Sequence, residues 1–213
     1  GEYGEGKMSS PRQIFSYLKN YFNNRDLVKK KKFSALVTTG PTREYMDPVR
    51  YISNESSGKQ GYEIALALSK FGVKTTLVAG PTSINFSRDI NVKNITNADE
   101  MMKAVQKLLP VDVAVCAAAV ADFKPLVKNK HKIKKNDQNY KVLKLEKNKD
   151  ILEYISKNNK LRPKIVVGFS AETKNLIENS IHKMNIKYCD MIIANDVSKK
   201  ETGFNVDFNK ISI

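Results

Sequence analysis

The run YISNESSGKQGYEIA at 51–65 packs an asparagine amide, an adjacent pair of serines, a lysine and two glycines into one loop ahead of an amphipathic stretch. A loop that only turns the chain needs fewer polar groups, so this one reads as a holder of oxygen-rich groups. Ser56, Ser57 and Gly58 stand where a helix begins, and free N–H groups with hydroxyls at such a terminus suit a phosphate. Lys59 adds charge. The Asn54 amide can donate to a carboxylate or acyl phosphate oxygen without bringing charge of its own. Plainer roles stand beside these: Asn54 as a turn residue with an Asx bond, Gly58 and Gly61 as sites of close helix packing.

Asp122 and Glu172 follow apolar runs and read either as helix caps or as acceptors for a base, a ribose or a hydrated magnesium ion. Lys132, Lys134 and Lys135 in HKIKK are by default a solvated face. His131 and His182 have no partner at catalytic or ligand spacing, and no nucleophile-base triad assembles around either. Cys116 and Cys189 lie inside apolar runs without metal-ligand spacing, which suits reduced core thiols in a cytosolic protein. GxGxxG is missing after the first apolar run, against a standard dinucleotide dehydrogenase.

The chain has 213 residues, and its 41% apolar content suits a globular class with a real core. Its longest apolar run, VAVCAAAVA at 113–121, is strand length, so no membrane-spanning helix is expected. No secretory leader opens the chain, which points to the cytoplasm, and the lack of an initiator Met suggests a fragment. A net charge of +15 fits either nucleic acid or an anionic small substrate. Lysine is spread along the whole chain while arginine and interleaved aromatics are scarce, which disfavours nucleic acid.

The elements that must position these groups alternate. A first helix is predicted at 11–22, then a polar linker with a boundary near residue 30. FSALVTT (33–39) reads as a buried strand ending in Gly40-Pro41. A helix follows with Tyr62, Ala65, Leu66, Leu68 and Phe71 on one face and Gly72 as C-cap. Further strands are expected at 73–80, 111–122, 165–173 and 190–197, with helices at 97–109 and 174–187, the latter carrying Leu176, Ile177, Ile181 and Met184. The pattern predicts an α/β, Rossmann-like, doubly wound and mainly parallel sheet. Between 122 and 150 the rhythm breaks, and HKIKK and YKVLKLEK around NDQN predict a protruding β-hairpin arm. Ligands of such sheets bind beyond the carboxyl ends of the strands, which selects Thr39 to Thr42, Gly80, Ala118 to Asp122, Gly168 to Glu172 and Asn195-Asp196.

Six ordered segments, TTGPTREYMDPVRYISNESSGKQG, AAAVADF, HKIKK, EKNKDIL, VGFSAET and MIIANDVS, closely resemble the phosphopantothenoylcysteine synthetase family, the phosphopantothenate-cysteine ligases of coenzyme A biosynthesis. The resemblance covers 33 to about 209. GEYGEGKMSSPRQI resembles the tail of the flavin-dependent decarboxylase fused before this ligase in many bacteria, so 1–30 is expected to be that tail with a linker helix and 31–213 the ligase domain. No FMN is expected on this piece. The family's final strand and helix after GFNVDFNKISI are missing, so the ligase end is expected to be truncated.

The resemblance implies CTP with magnesium as nucleotide, 4'-phosphopantothenate and L-cysteine as the other substrates, an acyl-cytidylate intermediate and a homodimer. It implies that Asn54 orients the substrate carboxylate, with Gly40, Ser56, Ser57 and Gly58 near phosphate, and that Lys132 stabilises charge developing in transfer. It implies further that Cys116, Ala117, Ala118, Asp122, Lys149, Asp150, Ile151, Leu152 and Phe169 frame the nucleotide. Lys183 and Lys187 match its two nucleotide-binding lysines, and the family carries proline where Lys149 stands. The competing classes are a catalytically silent nucleotide- or phosphate-binding module and a nucleic-acid binder.

Overall fold

The computed structural model of the protein describes residues 33–136, 142–198 and 211–213. The helix expected at 11–22, the boundary near 30 and the tip of the arm lie outside these residues.

Strand β1 (Ser34–Thr39) is the axis of a seven-stranded sheet. It pairs in parallel with β4 (Lys74–Ala79) on one side and β6 (Val113–Cys116) on the other. Beyond β4 lies β5 (Asn91–Asn94), and beyond β6 come β9 (Ile165–Glu172) and β10 (Met191–Asp196), all parallel. An antiparallel β11 (Ile211–Ser212) closes that edge. A strand buried on both faces carries mostly apolar side chains, and alternate residues serve opposite layers. Thus Leu36 joins Val78, Met101, Val105, Ala114, Ile155 and Val166 in one core, under α2 (Ala98–Leu108) and α3 (Ile151–Ser156). Its neighbour Val37 joins Ala65, Leu77, Ala79, Val115 and Val167 on the opposite face, under α1 (Lys59–Lys70).

The doubly wound, mainly parallel architecture expected from the sequence is therefore present. Strand order reverses at β1, with β4 and β5 to one side and β6, β9 and β10 to the other. The crevice at such a reversal is where open α/β sheets bind ligands.

Four expectations need correction. The third strand stops at Cys116 instead of running to 122. Beyond it, the backbone keeps only isolated ties, the Ala117 N–H to Thr38 O at 3.2 Å and the Ala119 N–H to Gly40 O at 2.9 Å, while Thr38 Oγ1 accepts from the Ala118 N–H at 3.3 Å and Thr42 Oγ1 from the Ala121 N–H at 3.0 Å. The arm is an antiparallel pair, but its ladder joins β7 (Phe123–Pro125) to β8 (Leu145–Lys147), and HKIKK at 131–135 forms no strand. On α4 (Leu176–Lys187), Ile177 and Ile181 are exposed, leaving Leu176 and Met184 as its partly buried apolar positions. Phe71 is 86% exposed because α1 ends at Lys70; the chain turns there through Gly72, whose φ of 80° suits glycine. The sequence also did not signal the short hairpin of β2 (Arg43–Tyr45) and β3 (Tyr51–Ser53), nor the edge strands β5 and β11.

Candidate functional site

At the reversal, beyond the carboxyl ends of β1, β6 and β9, a cavity of about 590 Å³ opens. Thr38 and Cys116, register partners on β1 and β6, form its floor with Ala118 and Phe169. Asp122 and the 149–152 run with Ile151 and Leu152 make one wall, and Lys183 and Lys187, a helical turn apart on α4, make another. Segments as far apart in sequence as Thr38 and Lys187 thus converge on one cavity. Ala117 and Lys132 do not line this cavity.

The charges around it fall into two sets. Lys187 sits 2.9 Å from both Asp150 and Glu153; burial opposes its charge, but these two carboxylates outweigh burial and raise its pKa. Glu153 is held down to about 2, by Lys157 first and then Lys187. Asp150 also caps α3, accepting from the Glu153 N–H at 2.8 Å, and of the two readings of Asp122 the helix cap falls, because Asp122 caps no helix among the described residues. Lys183, by contrast, lines the cavity with no ion pair among the described residues. Glu172 is occupied by Ser170 and Asn179 and caps no helix. Burial pushes the Cys116 thiol up to about 12, with the nearby Asp150 charge adding to it, so this sulfur is a neutral wall group and no nucleophile. Cys189 is likewise a free thiol.

A second cavity, of about 700 Å³, lies beside the first and is lined by Asn54, Ser56 and Ser57 together with Arg43, Tyr51 and Thr82. Gly40 and Gly58 line neither cavity. They meet back to back, both at positive φ, and a Cβ on Gly58 would lie 3.2 Å from the Gly40 Cα. The Thr39 hydroxyl donates to the Gly58 carbonyl at 2.6 Å and locks the loop onto β1. Gly61 has the plain packing role, because a Cβ there would lie 2.5 Å from Thr39 Oγ1.

Asn54 differs from expectation in orientation. Its Nδ2 donates to the carbonyls of Val120 at 3.0 Å and Ala119 at 3.3 Å, so its donors hold the 117–122 loop and only its oxygen is left over. The amide therefore sits in the partition between the two cavities, with Val120 lining one and Asn54 the other.

The sequence reading missed Asp47, which is wholly buried beside Arg50. It also missed Asn148, whose Nδ2 donates to the Ala121 carbonyl at 2.8 Å while its N–H donates to Asp122 O at 2.8 Å. Asp47 stands in the TTGPTREYMDPVRYISNESSGKQG segment and Asn148 in EKNKDIL, but neither residue type signals its long-range partner. Among the described residues no group of three His, Cys, Asp or Glu gathers as a metal cage, and no helix is long and apolar enough to cross a membrane.

These features define a Rossmann-like α/β domain with a lysine-walled cleft at its strand reversal. The family model for the DNA/pantothenate metabolism flavoprotein C-terminal domain matches residues 30–213, and the chain belongs to that family. It is 39% identical over 214 residues to the coenzyme A biosynthesis bifunctional protein CoaBC of Haemophilus influenzae, covering 100% of the chain and 52% of that relative. It is 40% identical over 210 residues to the protein of the same name from Borreliella burgdorferi, covering 98% of the chain and 52% of the relative. The chain thus spans about half the length of the curated relatives it matches. Among solved structures it is similar to the C-terminal domain of CoaBC, with 38% identity, 77% of each chain covered and a TM-score of 0.66.

Proposed function

We propose that the chain is a phosphopantothenate-cysteine ligase domain acting in coenzyme A biosynthesis, with CTP as the nucleotide. The observation that carries this reading is the convergence of Asp122, the 149–152 run, Phe169, Lys183 and Lys187 on one cavity, separated by the Asn54 partition from a second, hydroxyl-lined one. Two adjoining sites suit a reaction that brings a nucleotide and an acid together. The membership of the chain and its likeness to the CoaBC C-terminal domain support the substrate class.

In this reading the nucleotide lies in the first cavity, with Cys116, Ala118 and Phe169 against it and Lys183 and Lys187 on its phosphates. The acid lies across the partition, toward Ser56 and Ser57. The carboxylate of 4'-phosphopantothenate attacks the α-phosphorus and the bond to pyrophosphate breaks. The amine of L-cysteine then attacks the acyl carbon, CMP leaves and the amine proton goes to solvent. Nothing in this sequence needs a protein nucleophile, which agrees with the neutral Cys116 thiol. The work is positioning and charge stabilisation. Lys132, exposed and without an ion pair among the described residues, swings to the developing charge. Magnesium would neutralise charge on the triphosphate, and Asp122 would hold it through water. Asp122, exposed at the rim, is the carboxylate placed to take a hydrating water.

The arm exposes Phe123, Leu126, Val127, Val142, Leu143 and Leu145. So much apolar surface on one projection supports pairing of two chains through it, as a homodimer in the cytoplasm, fused to a flavoprotein decarboxylase in the longer protein. Rates with each of the four ribonucleoside triphosphates test the nucleotide: CTP alone should sustain ligation, and a preference for ATP would overturn that choice.

A further inference from the structure

Asp47 lies in the β2–β3 turn, its side chain 0% exposed, and lines neither cavity. Its Oδ1 accepts from the N–H groups of Val49 and Arg50, both at 2.8 Å. Those two bonds close the turn together with the Met46 and Asp47 N–H groups, which donate to the Arg50 carbonyl at 3.0 and 3.4 Å. The Asp47 Oδ2 does something a turn does not require: it accepts from Arg50 Nε at 2.9 Å and from the Ile133 N–H at 3.2 Å, eighty-six residues away in sequence. Arg50 Nη2 in turn donates to the Ile133 carbonyl at 3.0 Å. Both polar groups of residue 133 are thereby gripped by one carboxylate-guanidinium pair. A second tie lies just upstream, where the Asn129 N–H donates to Met46 O at 2.9 Å. Lys132 hangs between the two anchors with its own side chain exposed.

We infer that Asp47 is a positioning residue for Lys132: with Arg50 it clamps the peptide at Ile133, so that the strap carrying the lysine is fixed while its ammonium stays free to meet the reacting groups. This rests on the ligase reading of Lys132. Charge-assisted hydrogen bonds to a buried carboxylate are strong, and an unclamped strap would spread the ammonium over many positions. A displacement of about 1 Å in a positioning group costs up to about a hundredfold in rate.

The test is a cycle of Asp47→Asn, Lys132→Gln and the double variant, read by kcat, by KM for CTP, and by hydrogen exchange at residues 131–134. Asp47→Asn should lower kcat by about tenfold to a hundredfold with KM for CTP little changed. In the Lys132→Gln background it should cost less than about twofold, because its effect runs through that lysine. Exchange at the Ile133 amide should accelerate in Asp47→Asn and not in Lys132→Gln. Should Asp47→Asn fail to fold, Arg50→Lys removes the fork that grips Ile133 and carries the same expectations. Multiplicative losses in the double variant, or an Ile133 amide no faster in exchange, overturn the proposal and leave the ligase reading standing. Lys132→Gln with unchanged kcat overturns the proposal together with the role of that lysine, and an unmutated chain that does not ligate overturns both readings.

Discussion

Asn54 Nδ2 lies 3.0 Å from the carbonyl oxygen of Val120, and this bond joins the loop after β3 to the loop after β6. The partition between the two cavities therefore depends on a neutral donor. Asn54→Asp would set a carboxylate against two carbonyl oxygens and push the 117–122 loop away. Ligation should fall by about a hundredfold or more for a misplaced loop, with the fold retained in circular dichroism. Turnover equal to the unmutated chain would remove Asn54 from the site.

Lys183 and Lys187 share a wall but not an electrostatic role. Lys183 lacks an ion pair among the described residues, so Lys183→Gln should raise KM for CTP by about tenfold and leave the melting temperature unchanged, as expected for a binding charge. Lys187 joins α4 to Asp150 and Glu153, so Lys187→Gln should also lower the melting temperature. Paired melts and kinetics separate the two.

Glu153 fixes the sign of one pH effect. Its carboxyl is depressed from an ordinary 4.5 to about 2. A depressed carboxylate contributes stability that is complete above the unfolded value and is lost as pH falls through the folded one. The stability difference between the unmutated chain and Glu153→Gln should be constant above 4.5 and shrink between 4.5 and 2. Because its side chain is 38% exposed, solvent screening keeps the amplitude below about 1 kcal/mol. Denaturant titrations across that range measure it.

Gly61 and Gly72 test two different demands on glycine. A Cβ at position 61 would lie 2.6 Å from Thr39 Cβ, in the contact that seats α1 on β1. Gly61→Ala should cost about 1–3 kcal/mol through overpacking. At Gly72 nothing lies within 4 Å, and the positive φ alone opposes a side chain, so Gly72→Ala should cost about 1–2 kcal/mol. Thermal melts rank them, and a Gly61→Ala chain that binds CTP normally would dissociate helix seating from the site.

Sheet and cleft were legible because buried parallel strands and helical faces leave strong periodic marks. Leu36 and Val37, Leu77 and Val78, and Val166 and Val167 all read as core. β5 and β11 were not legible, since NVKN and IS are short edge strands with little apolar content. The lysine-rich HKIKK alternates like a strand, yet its backbone is claimed by Asp47 and Arg50 instead of a ladder. Within the site, the family resemblance named Asp122, Asp150, Phe169, Lys183 and Lys187, and the structure brings all five to one cavity. What sequence could not give was the hydrogen-bond partner: the Asn54 amide faces carbonyls from a segment sixty-six residues on. Asp47 stayed hidden for the same reason, because a turn aspartate and a long-range clamp look alike in sequence.

In the proposed function, two adjoining cavities join an acid to an amine at the expense of a nucleotide. Pyrophosphate release from CTP, measured with 4'-phosphopantothenate and cysteine supplied together and then each withheld, tests it most directly. Release should require the acid, and phosphopantothenoylcysteine should form only when cysteine is also present. Release indifferent to the acid, or none with all three compounds present, would contradict it.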